Sequence, residues 1–523
     1  MTERELIALA LGLGASQVPG LSAAEERLLR KAPQAPAGEV EKCAGRIRAG
    51  EDPLGDLFCR LHPPCERREA GATFTPPAIV DVMVHWAAEA GSPRQVVDPG
   101  VGSGRFLVAA ARVFPDAALV GIEINPVCAL LARANLHTLG LARRSQIIVG
   151  DYRQAEIPRP GRTLFIGNPP YVRHHQIDRR WKNWLKRQAN VLGFSASQLA
   201  GLHVHFYLRT IQLARPGDFG SFITAAEWLD VNYGQLVRSL LLNSLGLRQL
   251  VLLEPKAMPF DDATTTGVIT RFEVGNRPQS IDFKRADTVE DLAQPNHSHR
   301  VSRAKLTSMQ RWTQIFRKSR RRSTSLIELG EICRVSRGQV TGANKFWIAG
   351  LFSQDLPPSV LVPSITRAKE LFESNGVLSD PSGLKKVIDL PADLDGFSAE
   401  ERRAIHRFLR EGKRLGIDQG YIASHRKPWW SVRLHDPAPI IMTYMARRPP
   451  AFVRNLTDAR HINIAHGVYP RCDMSSRCLG RLAQYLSETT SLGDGRTYAG
   501  GLTKFEPREV ERILVPRPEE LDQ

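Results

Sequence analysis

The sequence predicts an α/β protein, a largely parallel sheet with helices on both faces, followed by a domain of different architecture. Three observations predict it. Between residues 71 and 285, strand-like apolar runs (QVVDPG, ALVGIEIN, SQIIVGDY, TLFIGNPPY, GSFITA, GVITRFEV) alternate with helical patterns. That rhythm belongs to parallel strands joined by crossover helices. Residues 326–523 have shorter runs, more proline and aromatic punctuation, and no such rhythm. Between them, residues 300–325 hold nine Arg or Lys and no acid, including Lys318 and the triplet Arg320, Arg321 and Arg322. This stretch reads as a basic linker.

The 523 residues suffice for two or three hydrophobic cores. No run of about 18 uncharged apolar residues suggests a membrane span. The N-terminus carries Glu3 and Glu5 ahead of a short apolar stretch. A secretory signal would place basic residues there. A helix capped by Thr2, with Glu5 three residues on, is expected instead. Residues 1–70 as a whole read as short helices broken by Pro/Gly stretches. The seven cysteines are scattered and never spaced as CxxC, which favours reduced thiols in a cytoplasmic protein over disulfides or zinc. No metal is expected. The net charge of +17 raises the odds of a polyanionic partner without distinguishing DNA from RNA.

The segment VVDPGVGSGRFLVAAA (96–111) is a strand, a glycine-rich turn and a helix. Gly100, Gly102 and Gly104 let the backbone turn tightly and approach a ligand. Such a loop also serves dinucleotides. Acids at successive strand ends sharpen the reading. Asp98 ends the strand before the glycines. Glu123 ends the next, where a carboxylate can accept both ribose hydroxyls. Asp151 follows the third, placed to accept from an adenine amino group. Together they suit a nucleoside in the crevice at the sheet's C-terminal edge, although strand-end acids also serve as helix caps.

The most informative segment is TLFIGNPPYVR (163–173). An apolar strand runs into Asn168, Pro169, Pro170 and Tyr171. Two prolines stiffen the turn and remove two N–H donors. The turn is therefore rich in acceptors. Adenine N6 is a poor nucleophile because its lone pair is delocalised into the ring. The side-chain carbonyl of Asn168 and the main-chain carbonyl of Pro169 can accept both amino hydrogens and draw the nitrogen towards sp³ geometry. Catalysis is then mostly positioning and electrostatics. Tyr171 is placed to stack on the base.

With these motifs in this order, the chain resembles the γ-class N6-adenine DNA methyltransferases of restriction–modification and phage-defence systems. GATFTPPAIVDVMV (71–84) is similar to the segment that closes over the methionine moiety, carried by Thr73, Phe74, Thr75 and Pro76. DPGVGSGRF and GIEINP resemble the cofactor motifs, with Gly100 and Val101 at positions the family fills variably. GDYRQ resembles the adenine-binding strand end. LHVHFYLRTIQLARPGDFGSFITAAEWL (202–229) resembles the helix, Pro-Gly turn and strand after the catalytic motif. EPKAMPFDDATTTGVITRFEV (254–274) resembles the segment whose phenylalanine, here Phe260, packs on the extruded base. LGEICRVSRGQVTGANKFWI (329–348), HRKPWWSV (425–432), HINIAHGVYP (461–470) and GGLTKFEPREVERILVP (500–516) are similar to parts of the recognition domain.

The resemblance implies a class I S-adenosylmethionine-dependent methyltransferase (Rossmann-like) domain over 71–299 and an α+β target-recognition domain over 326–523. S-adenosyl-L-methionine is the implied cofactor, double-stranded DNA the implied partner, and base flipping the implied route. Arg320, Arg321, Arg322, Arg337, Lys345, Trp429 and Trp430 become DNA-binding candidates. Trp429 and Trp430 fit a small core equally well, and the arginine triplet fits an exposed linker. His174, His175, His203 and His205 are not needed by the chemistry. The 70 residues before the core are short for a fused nuclease, so a separate restriction or defence partner is expected. RNA or a protein glutamine amide would meet the same acceptors at Asn168. A noncatalytic DNA-binding protein is the third reading, opposed by the intact Asp98, Glu123, Asp151 and Asn168.

Overall fold

The computed structural model describes all residues except 70–72, 255–265, 289, 293–296, 317–325, 447, 499–501 and 523. Phe260, Arg320, Arg321 and Arg322 lie outside the described residues. Two compact units result, residues 1–316 in one, 326–498 and 502–522 in the other. Among the described residues no helix is long and apolar enough to cross a membrane.

Among the described residues the first unit is built on nine strands. They are β1 (Gln95–Asp98), β2 (Ala118–Glu123), β3 (Ser145–Val149), β4 (Thr163–Gly167), β5 (Phe219–Ala225), β6 (Leu247–Leu253), β7 (Gly267–Glu273), β8 (Ser280–Ala286) and β9 (His297–Ser302). Their order is β3-β2-β1-β4-β5-β7-β6-β8-β9. The first five are mutually parallel, and β7 runs antiparallel between β5 and β6. The chain leaves β1 towards β3 and returns to β4, so the order reverses between β1 and β4. Such a switch point opens a ligand crevice at the strands' C-terminal ends. Asp98 pairs in register with Gly121, and Glu123 with Val149, which places successive strand-end acids along one edge.

Among the described residues ten α-helices precede β5. They are α1 (Glu3–Gly12), α2 (Ala23–Arg30), α3 (Ala37–Arg48), α4 (Pro53–Leu61), α5 (Pro64–Glu69), α6 (Pro77–Ala90), α7 (Arg105–Val113), α8 (Pro126–Thr138), α9 (Arg179–Val191) and α10 (Leu202–Leu213). Strand residues alternate between two cores, as a period of two requires. Val96, Leu119, Leu164 and Ile166 pack with α6, α7 and α8, while Val97, Val120 and Phe165 pack with α9 and α10. Thr2 caps α1 in a reciprocal box with Glu5, as expected. The apolar faces of α1, α3 and α4 bury against α8. A fully buried ion pair pins this region down, with Arg133 Nε 2.7 Å from Glu25 Oε1. Arg133 also donates to the carbonyls of Val18, Pro19, Gly20 and Ile147.

The basic stretch expected to act as a linker from residue 300 differs over its first part. Residues 300–302 belong to β9, the edge strand of the sheet. Leu306 and Trp312 enter the core, Trp312 edge-on to Trp228 and Phe283. Apolar burial, which the charge count conceals, decides the matter.

The second unit is α+β. Its main sheet joins Cys333–Arg337, Ala465–Pro470, Ile440–Thr443, Phe452–Asn455 and Val377–Leu378 in that order. The longer helices are Ala399–Arg414 and Ser476–Thr489.

Candidate functional site

A cavity of about 400 Å³ lies at the switch point. Its walls are the turn after β1, the ends of β2 and β3, the turn after β4, residues Thr73–Thr75, and Leu202 and Phe206 of α10. The sheet topology therefore gathers the glycine loop, Glu123, Asp151 and Asn168, which are far apart in sequence.

The glycine loop turns through left-handed backbone at Gly102 (φ +54°) and Gly104 (φ +93°), which a side chain would strain. A Cβ on Gly100 would meet only the Asn168 carbonyl oxygen, at 3.9 Å. The loop and the Asn168 turn thus face each other. Glu123 closes the loop from below, accepting from Gly102 N at 2.9 Å and Asn125 N at 3.0 Å. Burial raises its pKa, and the same backbone donors hold it back. Asp98 accepts from Gly100 N at 3.2 Å, while its other oxygen is buried without a hydrogen-bond partner. Burial pushes the Asp98 carboxyl up to about 8.

Asn168 is held by the segment Thr73–Thr75. Its Nδ2 donates to Thr75 Oγ1 at 3.1 Å and to the Thr73 carbonyl at 3.4 Å. A carbonyl can only accept, so the nitrogen must face Thr73, and the amide orientation follows. Oδ1 is left buried with no hydrogen-bond partner. Tyr171 is half-buried, and its hydroxyl also lacks a partner; burial raises its pKa. Phe74 packs on Phe58, and Arg105 lies over its ring at 5.5 Å from the centroid. Pro76 caps α6 without a side-chain bond.

Asp151 sits on the cavity wall with both oxygens engaged by Arg153, at 2.8 Å and 2.6 Å. His203 and His205 are buried, with pKa values lowered by burial to about 4 and about 3. Both are therefore neutral imidazoles at pH 7. Among the described residues no three His, Cys, Asp or Glu side chains gather as metal ligands.

In the second unit Arg337 is exposed and paired with Glu506, and Lys345 is exposed. Trp429 and Trp430 are half-buried and pack on the cluster of Phe346, Trp347 and Phe408. Their rings serve a core in this structure.

Several contributors escape a reading of the sequence. Asp52, the N-cap of α4, accepts from Ser103 Oγ at 2.5 Å, Arg105 Nε at 2.6 Å, Gly55 N at 3.0 Å and Asn135 Nδ2 at 3.1 Å. It braces the glycine loop from outside. Nothing local marks a capping aspartate as a loop support. Ile124 lines the cavity although it is 68% exposed. It offers an apolar surface to the cavity, and its signal was an apolar residue directly after the strand-end acid.

Residues 310–523 match the family model described as type II methyltransferase M.Eco57I, C-terminal domain, and residues 163–259 the one described as Eco57I restriction-modification methylase. The chain is 47% identical over 531 residues to the type II methyltransferase M.XamI of Xanthomonas campestris pv. amaranthicola, with 99% of each chain covered. It is 23% identical to the type II methyltransferase M.AccI of Acinetobacter calcoaceticus, with 86% of each covered. In fold it resembles the type IIL restriction-modification enzyme MmeI, solved in complex with DNA. The TM-score is 0.59 at 13% identity, covering 95% of this chain and 74% of that one.

Proposed function

The chain belongs to the type II methyltransferases of restriction–modification systems, and on that premise we propose that it methylates N6 of adenine in duplex DNA after turning the base out of the helix. One observation carries the reading. Thr73 and Thr75 hold the donors of Asn168 and leave its Oδ1 buried, unpartnered and on a cavity-lining residue. A lone acceptor presented this way suits a primary amine.

The cavity also fits S-adenosyl-L-methionine. Its glycine loop has room for ligand at Gly100, and the unpartnered oxygen of Asp98 suits a cationic donor. When bound, the cofactor supplies a methyl group on cationic sulfur, whose leaving group is a neutral thioether. Glu123 would accept from the ribose hydroxyls, and Thr73, Phe74, Thr75 and Pro76 would cover the methionine end. Asp151, already paired with Arg153, keeps lone pairs for an adenine amino group.

Asn168 Oδ1 and the Pro169 carbonyl accept the two hydrogens of the target amine and localise its lone pair. The stiff turn holds both acceptors in place before the amine arrives, which is the preorganisation that electrostatic catalysis requires. Within an intact duplex N6 is engaged with thymine, so the base must leave the stack at a cost of a few kcal/mol. Stacking on Tyr171 offsets roughly 1–3 kcal/mol of this. Arg337 and Lys345 contribute phosphate contacts from the recognition domain.

Nucleoside analysis tests the acceptor. Duplex DNA methylated with isotope-labelled cofactor is digested and its nucleosides separated. Label in N6-methyldeoxyadenosine is expected. Label in a cytosine derivative, or only in RNA or protein offered alongside, would contradict the proposal. 2-Aminopurine at the target position should brighten on binding; an unchanged signal speaks against extrusion.

A further inference from the structure

We propose that the outer face of α9 is a phosphate-binding surface that holds a DNA strand beside the catalytic turn. The inference rests on the reading of DNA as substrate. The 13 residues RRWKNWLKRQANV carry five cations and no acid. Trp181, Leu185 and Ala189, spaced by four, are buried, so the helical period turns the opposite positions outward. Arg179, Arg180, Lys186 and Arg187 are exposed, as is Arg173 just before the helix.

These charges are scarcely balanced. Arg180 lies 3.9 Å from Asp178, with both side chains about three-quarters exposed. Among the described residues Arg179, Lys186 and Arg187 form no ion pair. The basic helix of the second unit is arranged otherwise. Ala399–Arg414 carries Glu400, Glu401 and Glu411 among its cations, and Arg402, Arg407 and Arg414 pair with Asp395, Asp355 and Glu411, while Arg403, Arg410 and Lys413 do not pair among the described residues. Interspersed signs are what solubility alone favours. Like charges a helical turn apart, as at Lys182 and Lys186, destabilise the isolated helix. A polyanion lying on this face reverses that repulsion.

The inner face ties the helix to the site. Arg153 lies 3.7 Å over the Trp181 ring while it pairs with Asp151 on the cavity wall. Trp184 stacks on His205 with ring centroids 5.8 Å apart and planes 7° apart. The cations therefore stand on an element that is fixed to the cavity and begins eleven residues after Asn168. At 1.5 Å per residue the helix is about 20 Å long. That is enough to face several phosphates of one strand, which rise about 3.4 Å each. Phosphate contacts set position and register without reading sequence.

The test uses the full chain with Arg179, Arg180, Lys186 and Arg187 all replaced by Gln. Affinity for duplex DNA is measured against salt, beside a control with Arg402, Arg407 and Arg414 replaced by Gln. At about 0.9 per lost contact, the log–log slope should shrink by about 1.8 or more in the first variant and stay near wild type in the control. KM for DNA should rise while kcat at saturating DNA, cofactor affinity and sequence preference hold. The double variant Lys186→Gln/Arg187→Gln should show a smaller drop of the same kind, which keeps the test open should the quadruple variant fold poorly. Wild-type slopes in folded variants overturn the surface alone. Failure of the wild-type chain to bind duplex DNA overturns the substrate reading, and the surface with it.

Discussion

The glycine loop has two polar sides, and they are prepared in opposite ways. On the outside, Asp52 accepts four hydrogen bonds and keeps no oxygen idle. Farther under the loop, Arg133 spends its guanidinium on Glu25 and four carbonyls. On the other side, Asn168 on the cavity wall and Asp98 buried at the end of β1 each keep one buried oxygen with no hydrogen-bond partner. Buried polar atoms are normally satisfied, because leaving one unpaired costs about 1–3 kcal/mol. The saturated Asp52 and Arg133 build the shape. The unsaturated side carries a cost that a bound ligand removes. Substitutions should therefore damage stability on one side and chemistry on the other.

The largest loss of stability is expected from Glu25→Ala. It leaves a fully buried guanidinium without its counter-charge, which costs about 3–5 kcal/mol. The four remaining carbonyls place the loss near the lower end. Urea unfolding monitored by circular dichroism reads it directly, and an unchanged midpoint would mean that the pair contributes nothing.

Asp52→Ala should come next. The loss of charge-assisted bonds to Arg105 and Ser103 is worth about 1.5–3 kcal/mol. Part of it should appear as weaker cofactor binding, because the loop loses its outer brace. Glu123→Ala should weaken cofactor binding by a similar amount, on the order of 1.5–3 kcal/mol, with less effect on unfolding. Calorimetry on both variants separates a support from a ligand. Equal behaviour would erase the distinction between the two sides.

Asp98 gives a pH dependence of definite sign. Its folded pKa, about 8, lies above the unfolded value near 3.9. The fold thus favours the protonated acid. That contribution to stability is complete below about pH 4 and is lost as pH rises through 8. Asp98→Asn should remove this decline from the ligand-free chain. A cationic group binding at Asp98 expels the proton, so cofactor affinity should rise with pH below 8, by up to about tenfold per unit. A flat profile between pH 6.5 and 8 would detach Asp98 from the cofactor.

The unsaturated side was the legible one. A strand ending in Asp, a glycine turn and the Asn-Pro-Pro-Tyr turn are specified by neighbours in the chain, and the parallel sheet brings them to one edge. The supports were not legible because they act at a distance. Asp52 reaches Ser103 across 51 positions, and Thr75 reaches Asn168 across 93. The engagement of Asp151 by Arg153, two residues on, is local but ambiguous in sequence, where an acid beside a cation reads equally as a solvated pair. At 300–316 the charge count drew attention from Val301, Leu306 and Trp312, whose burial makes that stretch part of the first unit. Charge shows which residues prefer water, and the apolar minority decides where the chain goes.

In the proposed mechanism the free oxygen of Asn168 acts on the target amine and not on the cofactor. Single-turnover methyl transfer by Asn168→Ala, with cofactor affinity measured on the same preparation, isolates that role. By analogy with the removal of one preorganised group, transfer should slow by about 10²-fold or more. Cofactor affinity should stay close to wild type, and the unfolding midpoint should not fall. Transfer at the wild-type rate, or a loss explained wholly by weaker cofactor binding, would refute that role for Asn168.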